Sequence, residues 1–432
     1  MARYCIIGAG PSGLAAARAL AAAGLQFDIF ERHDDVGGIW DSRNPNTPIY
    51  ESAHFISSRT QSAFDGFPMP ADYPDYPSWK QVLDYIRAFA DRYDLRKYVR
   101  FNTSVERASP VGAEWEVQLS TGEVLRYDGV IAAVGHDWDP LLPEYPGTFD
   151  GKSYHTVEYR SGAELAGKKV LVVGAGNSGC DIACDAAIHG SEAWISMRRG
   201  YHFLPKHFFG QPTDEFFRGG PHIPNWLAPS LLAVLLRIIV GDLRRYGLPK
   251  PDHKPLATHP IINSQLLHHL AHGEVAAKPD IAELRGRAVR FVDGSEIEPD
   301  VILWATGYRP SIPCLDAGGI HLAESGEDLY LNMFSREHPG LYLMGFFGTA
   351  GAAYPIVSKQ GALLAAVLTA REKNGAAMRT FEQLRAKPRA LTGGMRYVSS
   401  PRHAFYVQFE EYLKVLEKVL DTVRSKVERA PH

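Results

Sequence analysis

Two glycine-rich hexads, one at the start of the chain and one near its middle, have the residue types and spacing of phosphate-binding turns. The first is Gly8-Ala9-Gly10-Pro11-Ser12-Gly13 and the second is Gly174-Ala175-Gly176-Asn177-Ser178-Gly179. Glycines at the first, third and sixth positions allow a tight turn, a close approach of the backbone to a pyrophosphate and close packing of helix on strand. We expect each hexad to hold a diphosphate at the positive end of the helix that follows it.

Residues of opposite charge follow the two hexads at matching distances. Glu31 lies 23 residues after Gly8, and Arg198 lies 24 residues after Gly174. A carboxylate accepts hydrogen bonds from a free ribose 2′-hydroxyl and repels a 2′-phosphate, whereas a guanidinium pairs with that phosphate. We therefore predict that the first site binds FAD and the second binds NADPH, with Arg198 or Arg199 at the 2′-phosphate.

The elements that must position these residues can be predicted from the apolar runs on both sides of each hexad. The strands are expected at Arg3–Ile7, Leu25–Phe30, Lys169–Val173 and Glu192–Met197. The helices between them are expected to end near Ala23 and His189, each just before a glycine. Strand, glycine turn, helix and strand in this order form the dinucleotide-binding unit.

The similarity between the two halves continues beyond these units. In the first half a hairpin over Trp115–Leu125 is followed by a strand at Gly129–Ala133 and a glycine turn. In the second half a hairpin through Asp293-Gly294 precedes a strand at Asp300–Leu303 and the turn Ala305-Thr306-Gly307-Tyr308. The chain is thus an internal pseudo-repeat with one half inserted into the other.

The predicted fold class is α/β, with two nested Rossmann-like dinucleotide-binding domains. We expect a first segment of the FAD domain over 1–150 and an NADPH domain over 160–305. A variable insertion is expected at about 201–260. The second FAD segment and a C-terminal helix would occupy 306–432. The length of 432 residues fits this organisation, at roughly 150 residues per domain.

The composition excludes several classes of protein. With 45% hydrophobic and 22% charged residues, the chain can bury a large core and is not disordered. The 46 basic residues are balanced by 49 acidic ones, and no basic stripe alternates with aromatics, so we expect no nucleic-acid partner. The apolar run Leu231–Val240 is far shorter than the roughly 20 residues that span a bilayer, and we expect a core or interface helix there. We expect a cytoplasmic protein without a membrane segment, and a homodimer remains open.

Cysteine usage bears on where the electrons go. A flavin site beside a nicotinamide site implies hydride transfer from NADPH to the flavin. The four cysteines Cys5, Cys180, Cys184 and Cys314 contain no C-x-x-C pair, so a dithiol acceptor and a metal centre are both disfavoured. Dioxygen is the remaining common acceptor.

Five segments of the chain resemble motifs of the class B flavin-dependent monooxygenases, especially the flavin-containing monooxygenases. Residues Phe149–Tyr159 match the fingerprint F-x-G-x-x-x-H-x-x-x-[FY] of that family. The other matching segments are Val36–Trp40, Gly174–Ala183, Ala305–Tyr308 and Pro339–Gln360. Baeyer–Villiger monooxygenases usually have tryptophan at the last fingerprint position, so Tyr159 favours the branch that oxygenates nitrogen and sulfur.

The resemblance implies a reaction and a set of contacts. The implied reaction is NADPH- and O₂-dependent oxygenation of a soft nitrogen or sulfur centre of a small molecule through a C4a-hydroperoxyflavin. Baeyer–Villiger oxygenation of a ketone, or an uncoupled NADPH oxidase or redox flavoprotein, stays open. The implied FAD contacts are Gly8 to Gly13, Glu31, Gly38, Ile39 and Trp40. The implied NADPH contacts are Gly174, Gly176, Asn177, Ser178, Gly179, Cys180 and Asp181, with Arg198 or Arg199. His155 either supports the NADPH-bound geometry or packs at the crossover.

The sequence departs from the family pattern at one position near the reacting groups. Ile56 stands where these enzymes carry an asparagine near the flavin and nicotinamide. Isoleucine can neither donate nor accept a side-chain hydrogen bond. Either Ser57, Ser58 or His54 supplies the missing polar group, or the substrate scope differs from that of the family. The insertion, rich in aromatics and histidines such as His222, is expected to line the substrate path.

Overall fold

The computed structural model describes residues 2–219, 223–322, 326–400 and 403–428. His222 of the predicted insertion lies outside these residues. Twelve strands form two large sheets: β1 (Arg3–Ile7), β2 (Gln26–Phe30), β3 (Val99–Arg100), β4 (Gly129–Ala132), β5 (Lys152–His155), β6 (Lys169–Val173), β7 (Glu192–Ser196), β8 (Ala276–Lys278), β9 (Val301–Trp304), β10 (Leu329–Tyr330), β11 (Phe334–Ser335) and β12 (Leu341–Leu343).

The two sheets are nested in the sequence. The seven-stranded sheet has the order β10-β11-β12-β4-β1-β2-β3, so it combines strands from both ends of the chain. The five-stranded sheet has the order β5-β9-β6-β7-β8 and is parallel throughout. Every residue of β4 and β9 is buried, as expected for central parallel strands covered on both faces. The α/β fold with two nested Rossmann-like domains is therefore confirmed.

The structure describes ten helices. They are α1 (Pro11–Ala22), α2 (Trp79–Arg92), α3 (Asn177–His189), α4 (Thr213–Gly219), α5 (Ala228–Ile239), α6 (Gln265–Ala271), α7 (Pro313–Asp316), α8 (Ala353–Lys373), α9 (Gly375–Arg385) and α10 (Phe409–Glu428). Helix α8 packs between α1 and α10. Small residues allow this close approach, because a Cβ added at Gly361 of α8 would lie 2.7 Å from the Ala15 carbonyl oxygen of α1.

Smaller sheets close each half, and both predicted hairpins are confirmed. The small sheet of the first half is three-stranded and consists of Val105–Val111, Glu114–Leu119 and Val124–Tyr127. The small sheet of the second half is four-stranded and consists of Gly147–Phe149, Ile281–Gly286, Ala288–Phe291 and Glu296–Ile297. Two-stranded pairs are Asp139–Pro140 with Tyr308–Arg309, Phe203–Leu204 with Ile261–Ile262, His207–Phe208 with Gln211–Pro212, and Gly348–Thr349 with Tyr406–Val407.

The apolar run Leu231–Val240 forms most of α5, and only one side of that helix is buried. Leu232 and Leu236 are buried in a cluster with Phe208, as a core helix would require. On the opposite side Val234 is 60% exposed and Ile238 is 76% exposed. The core interpretation is therefore correct for one face only. Among the residues that the structure describes, no helix has the length and apolar character to cross a bilayer.

Candidate active site

The first glycine hexad forms a tight connection between β1 and α1. Gly8 has φ +101°, and a Cβ there would lie 2.7 Å from the Ala133 carbonyl oxygen. A Cβ on Gly13 would lie 2.0 Å from the Gly8 carbonyl oxygen. The Gly8 N–H donates to the Phe30 carbonyl at 2.8 Å, which fixes the turn at the ends of two strands. No side chain caps α1 at Gly10, so the amides of its first turn can receive a phosphate.

The second hexad repeats this geometry between β6 and α3. Gly174 has φ +105°, and a Cβ there would lie 2.3 Å from the Ala305 carbonyl oxygen. A Cβ on Gly179 would lie 2.1 Å from the Gly174 carbonyl oxygen. The N-terminus of α3 at Gly176 also has no side-chain cap. Both turns therefore have a shape that only glycine permits, and both fit a dinucleotide diphosphate.

Glu31 follows β2, and its buried carboxylate is fixed by the backbone. Its Oε2 accepts the Ala9 N–H at 2.7 Å, and its Oε1 accepts the His33 N–H at 3.0 Å. Each carboxylate oxygen has a second lone pair, which suits a ribose hydroxyl. The carboxylate thus fits the ribose of FAD while also holding the first turn, a contact that the sequence pattern did not reveal.

The two arginines after β7 differ in their surroundings, because Arg199 lies over the Tyr201 ring and its charge acts on Asp252. Arg198 is exposed and forms no ion pair with any residue in the described ranges. Arg199 is partly buried, and its Nε is buried without a hydrogen-bond partner among those residues. An unpaired guanidinium beside the second turn fits the 2′-phosphate of NADPH.

The segment with Gly38, Ile39 and Trp40 lies directly on the first turn. The Gly37 N–H donates to the Ala9 carbonyl at 3.2 Å, and a Cβ on Gly38 would lie 3.0 Å from the Gly10 Cα. The short 3₁₀ turn Gly38–Trp40 follows. The Trp40 ring meets the Phe55 ring edge-on at a centroid distance of 4.8 Å. The structure thus brings the predicted flavin contacts Gly8 to Gly13 and Gly38 to Trp40 together.

The side chains at the start of α3 face the protein more than an open groove. Asn177 donates to the Pro260 carbonyl at 3.2 Å and accepts the Ile262 N–H at 2.9 Å, which anchors the end of the insertion to the second turn. Cys180 is buried, with its Sγ 3.7 Å from the Ala175 carbonyl oxygen, and burial raises the pKa of its thiol. Cys180 is therefore not an activated thiolate.

Asp181 joins α3 to a segment of the flavin-site half. It accepts hydrogen bonds from the Tyr50 hydroxyl at 2.9 Å and from the Asn263 amide at 2.7 Å. Removal from water raises the pKa of Asp181 to about 6, although the hydrogen bond from Tyr50 and the charge of Lys206 oppose this shift. Tyr50 and Asn263 were not predicted as site residues.

Asp185, one helical turn further along α3, accepts a hydrogen bond from Tyr159, the last residue of the fingerprint. The Tyr159 hydroxyl donates to its Oδ2 at 2.8 Å, and the Ser52 hydroxyl donates to the same oxygen at 2.7 Å. The crossover, the nicotinamide-site helix and the flavin-site half therefore meet at one buried carboxylate. Two acidic residues at i and i+4 on a packed helix were the only sequence signal for these partners.

His155 is buried at the crossover. Its Nδ1 accepts the Val157 N–H at 3.1 Å, and its Nε2 is buried without a partner in hydrogen-bonding geometry among the described residues. Burial lowers the pKa of His155 to about 4, and the nearby Gly307 carbonyl offsets this only in part. The ring packs edge-on against Tyr308 at 5.1 Å.

The polar residues around Ile56 already have partners. His54 is exposed, with Nδ1 2.8 Å from the Ser52 carbonyl oxygen. The Ser57 hydroxyl lies 2.7 Å from that of Ser62, and Ser58 donates to Asp214 from both its N–H and its hydroxyl. Ile56 itself is partly buried. That one of these polar groups replaces the family asparagine stays a prediction.

Comparison with known proteins agrees with this geometry. A family model described as Flavin-binding monooxygenase-like matches residues 1–429. The chain is 35% identical over 358 residues to Indole-3-pyruvate monooxygenase YUCCA1 of Oryza sativa subsp. japonica, covering 79% of this chain and 86% of the relative. It is 32% identical over 383 residues to the N-oxide-forming dimethylaniline monooxygenase 2 of Rattus norvegicus, covering 83% and 71%. In fold it is similar to an open structure of cyclohexanone monooxygenase, with a TM-score of 0.74 at 20% identity over 99% of this chain and 98% of the other.

Proposed function

The chain belongs to the flavin-binding monooxygenase-like family, and we propose that it transfers one oxygen atom of O₂ to a soft nitrogen or sulfur centre of a small molecule. It is an NADPH- and O₂-dependent flavoprotein monooxygenase that binds FAD and NADP. When bound, FAD accepts a hydride from NADPH and, once reduced, activates O₂. The observation that carries the choice of nitrogen or sulfur is Tyr159, whose hydroxyl bonds to Asp185 at the fingerprint position where ketone-oxygenating relatives usually have tryptophan.

The protein's first task in this proposal is to hold two cofactors in fixed positions. Gly8 to Gly13 and the open N-terminus of α1 bind the diphosphate of FAD, and Glu31 binds its ribose. Gly174 to Gly179 and α3 bind the diphosphate of NADPH, and Arg198 with Arg199 binds its 2′-phosphate.

The second task is to keep the two sites aligned and water out. Asp185 ties the crossover to the flavin-site half through Tyr159 and Ser52, and Asp181 adds a second tie through Tyr50. A fixed closure between the two halves would shield the reacting atoms from water. The residues of both ties are proposed as positioning residues.

Proton transfer by His155 is not part of the proposal. With a pKa lowered to about 4 by burial, its ring is neutral at pH 7. Its contact with Tyr308 places it in the packing between the crossover and the strand that follows β9. We propose that it orients the crossover.

The proposed reaction is tested by following the oxygen atom. Purified holoenzyme is given NADPH, ¹⁸O₂ and either thioanisole or N,N-dimethylaniline. We expect a sulfoxide or N-oxide with one ¹⁸O atom and close to one product per NADPH consumed. Hydrogen peroxide without labelled product would contradict the proposal and favour an NADPH oxidase.

A second candidate is oxygenation of a ketone. Ile56 supports it, because this partly buried side chain cannot offer the amide that the nitrogen- and sulfur-oxygenating relatives carry. The rice relative is named after a keto acid, indole-3-pyruvate, and this name also supports oxygenation of a ketone. Phenylacetone in the same ¹⁸O₂ assay separates the two candidates, because only ketone oxygenation yields a labelled ester.

Three further expectations stay proposals. The boundaries 1–150, 160–305 and 306–432 are supported by β1 to β4, β6 to β9 and β10 to β12, whereas β5 joins the five-stranded sheet from before residue 160. A cytoplasmic location is supported by the four buried, free cysteines. A homodimer is tested by light scattering of the holoenzyme.

A further inference from the structure

Arg59 is a cation that has no side-chain partner among the residues that the structure describes. Its Nε is buried and has no hydrogen-bond partner among the described residues. Within those ranges its guanidinium also makes no ion pair and no stacking contact with an aromatic ring. The buried N–H is therefore satisfied by nothing in the described protein, and a buried polar group in that state needs a physical explanation.

The acidic groups on the elements around Arg59 are already engaged. Asp214 accepts from Ser58, and Glu215 accepts from Thr60 on either side of Arg59 in sequence. Asp75, whose carbonyl accepts the Arg59 N–H at 2.8 Å, has its carboxylate 3.1 Å from His207 Nε2. The fold thus places three carboxylates on neighbouring elements without pairing any of them with this guanidinium.

The loop that carries Arg59 lies between the flavin segment and the insertion. On one side Phe55 packs against Trp40 of the flavin segment. Phe55 also packs edge-on against Tyr354, at 5.6 Å. On the other side the loop bonds to α4 of the insertion. Arg59 therefore occupies the boundary between the predicted flavin site and the segment expected to line the substrate path.

We propose that Arg59 binds an anionic oxygen, either the carboxylate of a substrate or a phosphate of a bound cofactor. A guanidinium forms paired, charge-assisted hydrogen bonds with both groups. Such a ligand would satisfy the buried N–H for which the described residues offer no acceptor. If the ligand is a substrate carboxylate, the proposal narrows the substrate class and rests on the proposed function. If the ligand is a cofactor phosphate, the proposal is independent of the proposed function.

The test uses the holoenzyme with FAD and two matched probes. (Phenylthio)acetate and its methyl ester share a thioether and differ in the negative charge. Their dissociation constants in the presence of NADP⁺, and that of NADP⁺ alone, are measured from the perturbation of flavin absorbance. The variants are Arg59→Met, Arg59→Lys and the control Arg218→Met, which removes a nearby arginine already bonded to Gln61.

Each version of the proposal predicts a different pattern. If the ligand is a carboxylate, Arg59→Met weakens (phenylthio)acetate about tenfold or more and leaves the ester and NADP⁺ unchanged. If it is a phosphate, Arg59→Met weakens NADP⁺ about tenfold or lowers FAD occupancy, whichever probe is present. Arg59→Lys should lose less than Arg59→Met in either case, because the charge remains.

The proposal is overturned if Arg59→Met binds both probes and both cofactors like the wild type and Arg218→Met. If Arg59→Met fails to fold, Arg59→Lys decides by the same criteria, since a lost guanidinium fork should still weaken the charged ligand severalfold. Turnover is read separately with the ester. If the wild type does not oxygenate the ester, the proposed function fails, but the binding pattern of Arg59 still stands or falls on its own.

Discussion

The Tyr159 hydroxyl donates a 2.8 Å hydrogen bond to the carboxylate of Asp185, although 26 residues separate them in sequence. Both groups are buried, and the bond joins the crossover between the two halves to the helix of the nicotinamide site. Because Ser52 of the flavin-site half donates to the same carboxylate oxygen, one acceptor connects three segments. A buried carboxylate outside both glycine turns therefore joins the two halves that carry the proposed cofactor sites.

Replacing Tyr159 by phenylalanine removes one donor from this carboxylate. We expect the free energy of unfolding to fall by about 1–3 kcal/mol, since a buried charge loses a partner. We also expect more hydrogen peroxide per NADPH, because the two sites become less well aligned. Tyr127→Phe is the control. The Tyr127 hydroxyl donates a 2.8 Å hydrogen bond to Asp28, and neither residue belongs to the crossover. If both variants release the same amount of peroxide, the positioning role of Tyr159 is wrong.

Replacing Glu31 by alanine should weaken FAD binding. The change removes the acceptor of the Ala9 N–H in the first turn and the predicted partner of the ribose. We expect FAD affinity to fall at least about tenfold, with Glu31→Gln intermediate because one acceptor oxygen remains. Flavin occupancy after dialysis and titration of the apoprotein with FAD measure the effect. Full occupancy in the alanine variant would show that the carboxylate does not contribute.

Replacing Arg198 by alanine should change the preference between NADPH and NADH. Only NADPH carries the 2′-phosphate, so we expect KM for NADPH to rise about tenfold while KM for NADH stays constant. Steady-state oxidation of both cofactors measures the ratio. Arg287→Ala serves as control, because Arg287 is exposed, pairs with Asp300 and lies in the hairpin turn between Ile281–Gly286 and Ala288–Phe291. An equal rise of KM for both cofactors would place Arg198 elsewhere than at the 2′-phosphate.

The raised pKa of Asp181 predicts that the folded protein loses stability as pH rises. Its folded-state pKa is raised to about 6, above the unfolded value of about 3.9. Between these values the folded state binds more protons than the unfolded state, so the stabilisation present at low pH is lost as pH rises through 6. Asp181→Asn should remove this part of the slope when Tm is measured from pH 4 to 7. The exposed Asp421→Asn should leave the slope as in the wild type, and an unchanged slope in Asp181→Asn would refute the prediction.

The lowered pKa of His155 predicts the opposite pH dependence of stability, in nearly the same pH range. Its folded-state pKa is lowered to about 4, below the unfolded value of about 6.5. The unfolded state then binds more protons, so stability present above pH 6.5 is lost as pH falls towards 4. His155→Gln should flatten the acid side of the Tm profile. The prediction fails if the variant loses stability with acid as steeply as the wild type does.

Several features could be predicted from the sequence because they depend on neighbouring residues. A glycine turn between an apolar strand and a helix is a local structure, as is a charged residue at the end of the next strand. The strands Arg3–Ile7 and Lys169–Val173 have the predicted bounds. The helices beginning at Pro11 and Asn177 end within one residue of the predicted positions. The sequence alone therefore determined the fold class and the two kinds of cofactor.

Only the tertiary structure decided which distant side chains meet. Ser52 and Asp185 are 133 residues apart, and their contact depends on how the two halves pack. The same packing leaves the Arg59 side chain without a partner among the described residues and one face of α5 exposed. Such contacts are set by sheet order and helix packing over long sequence separations, and no local pattern encodes them. For that reason the sequence could locate the two glycine turns but not the buried carboxylate that joins the two halves.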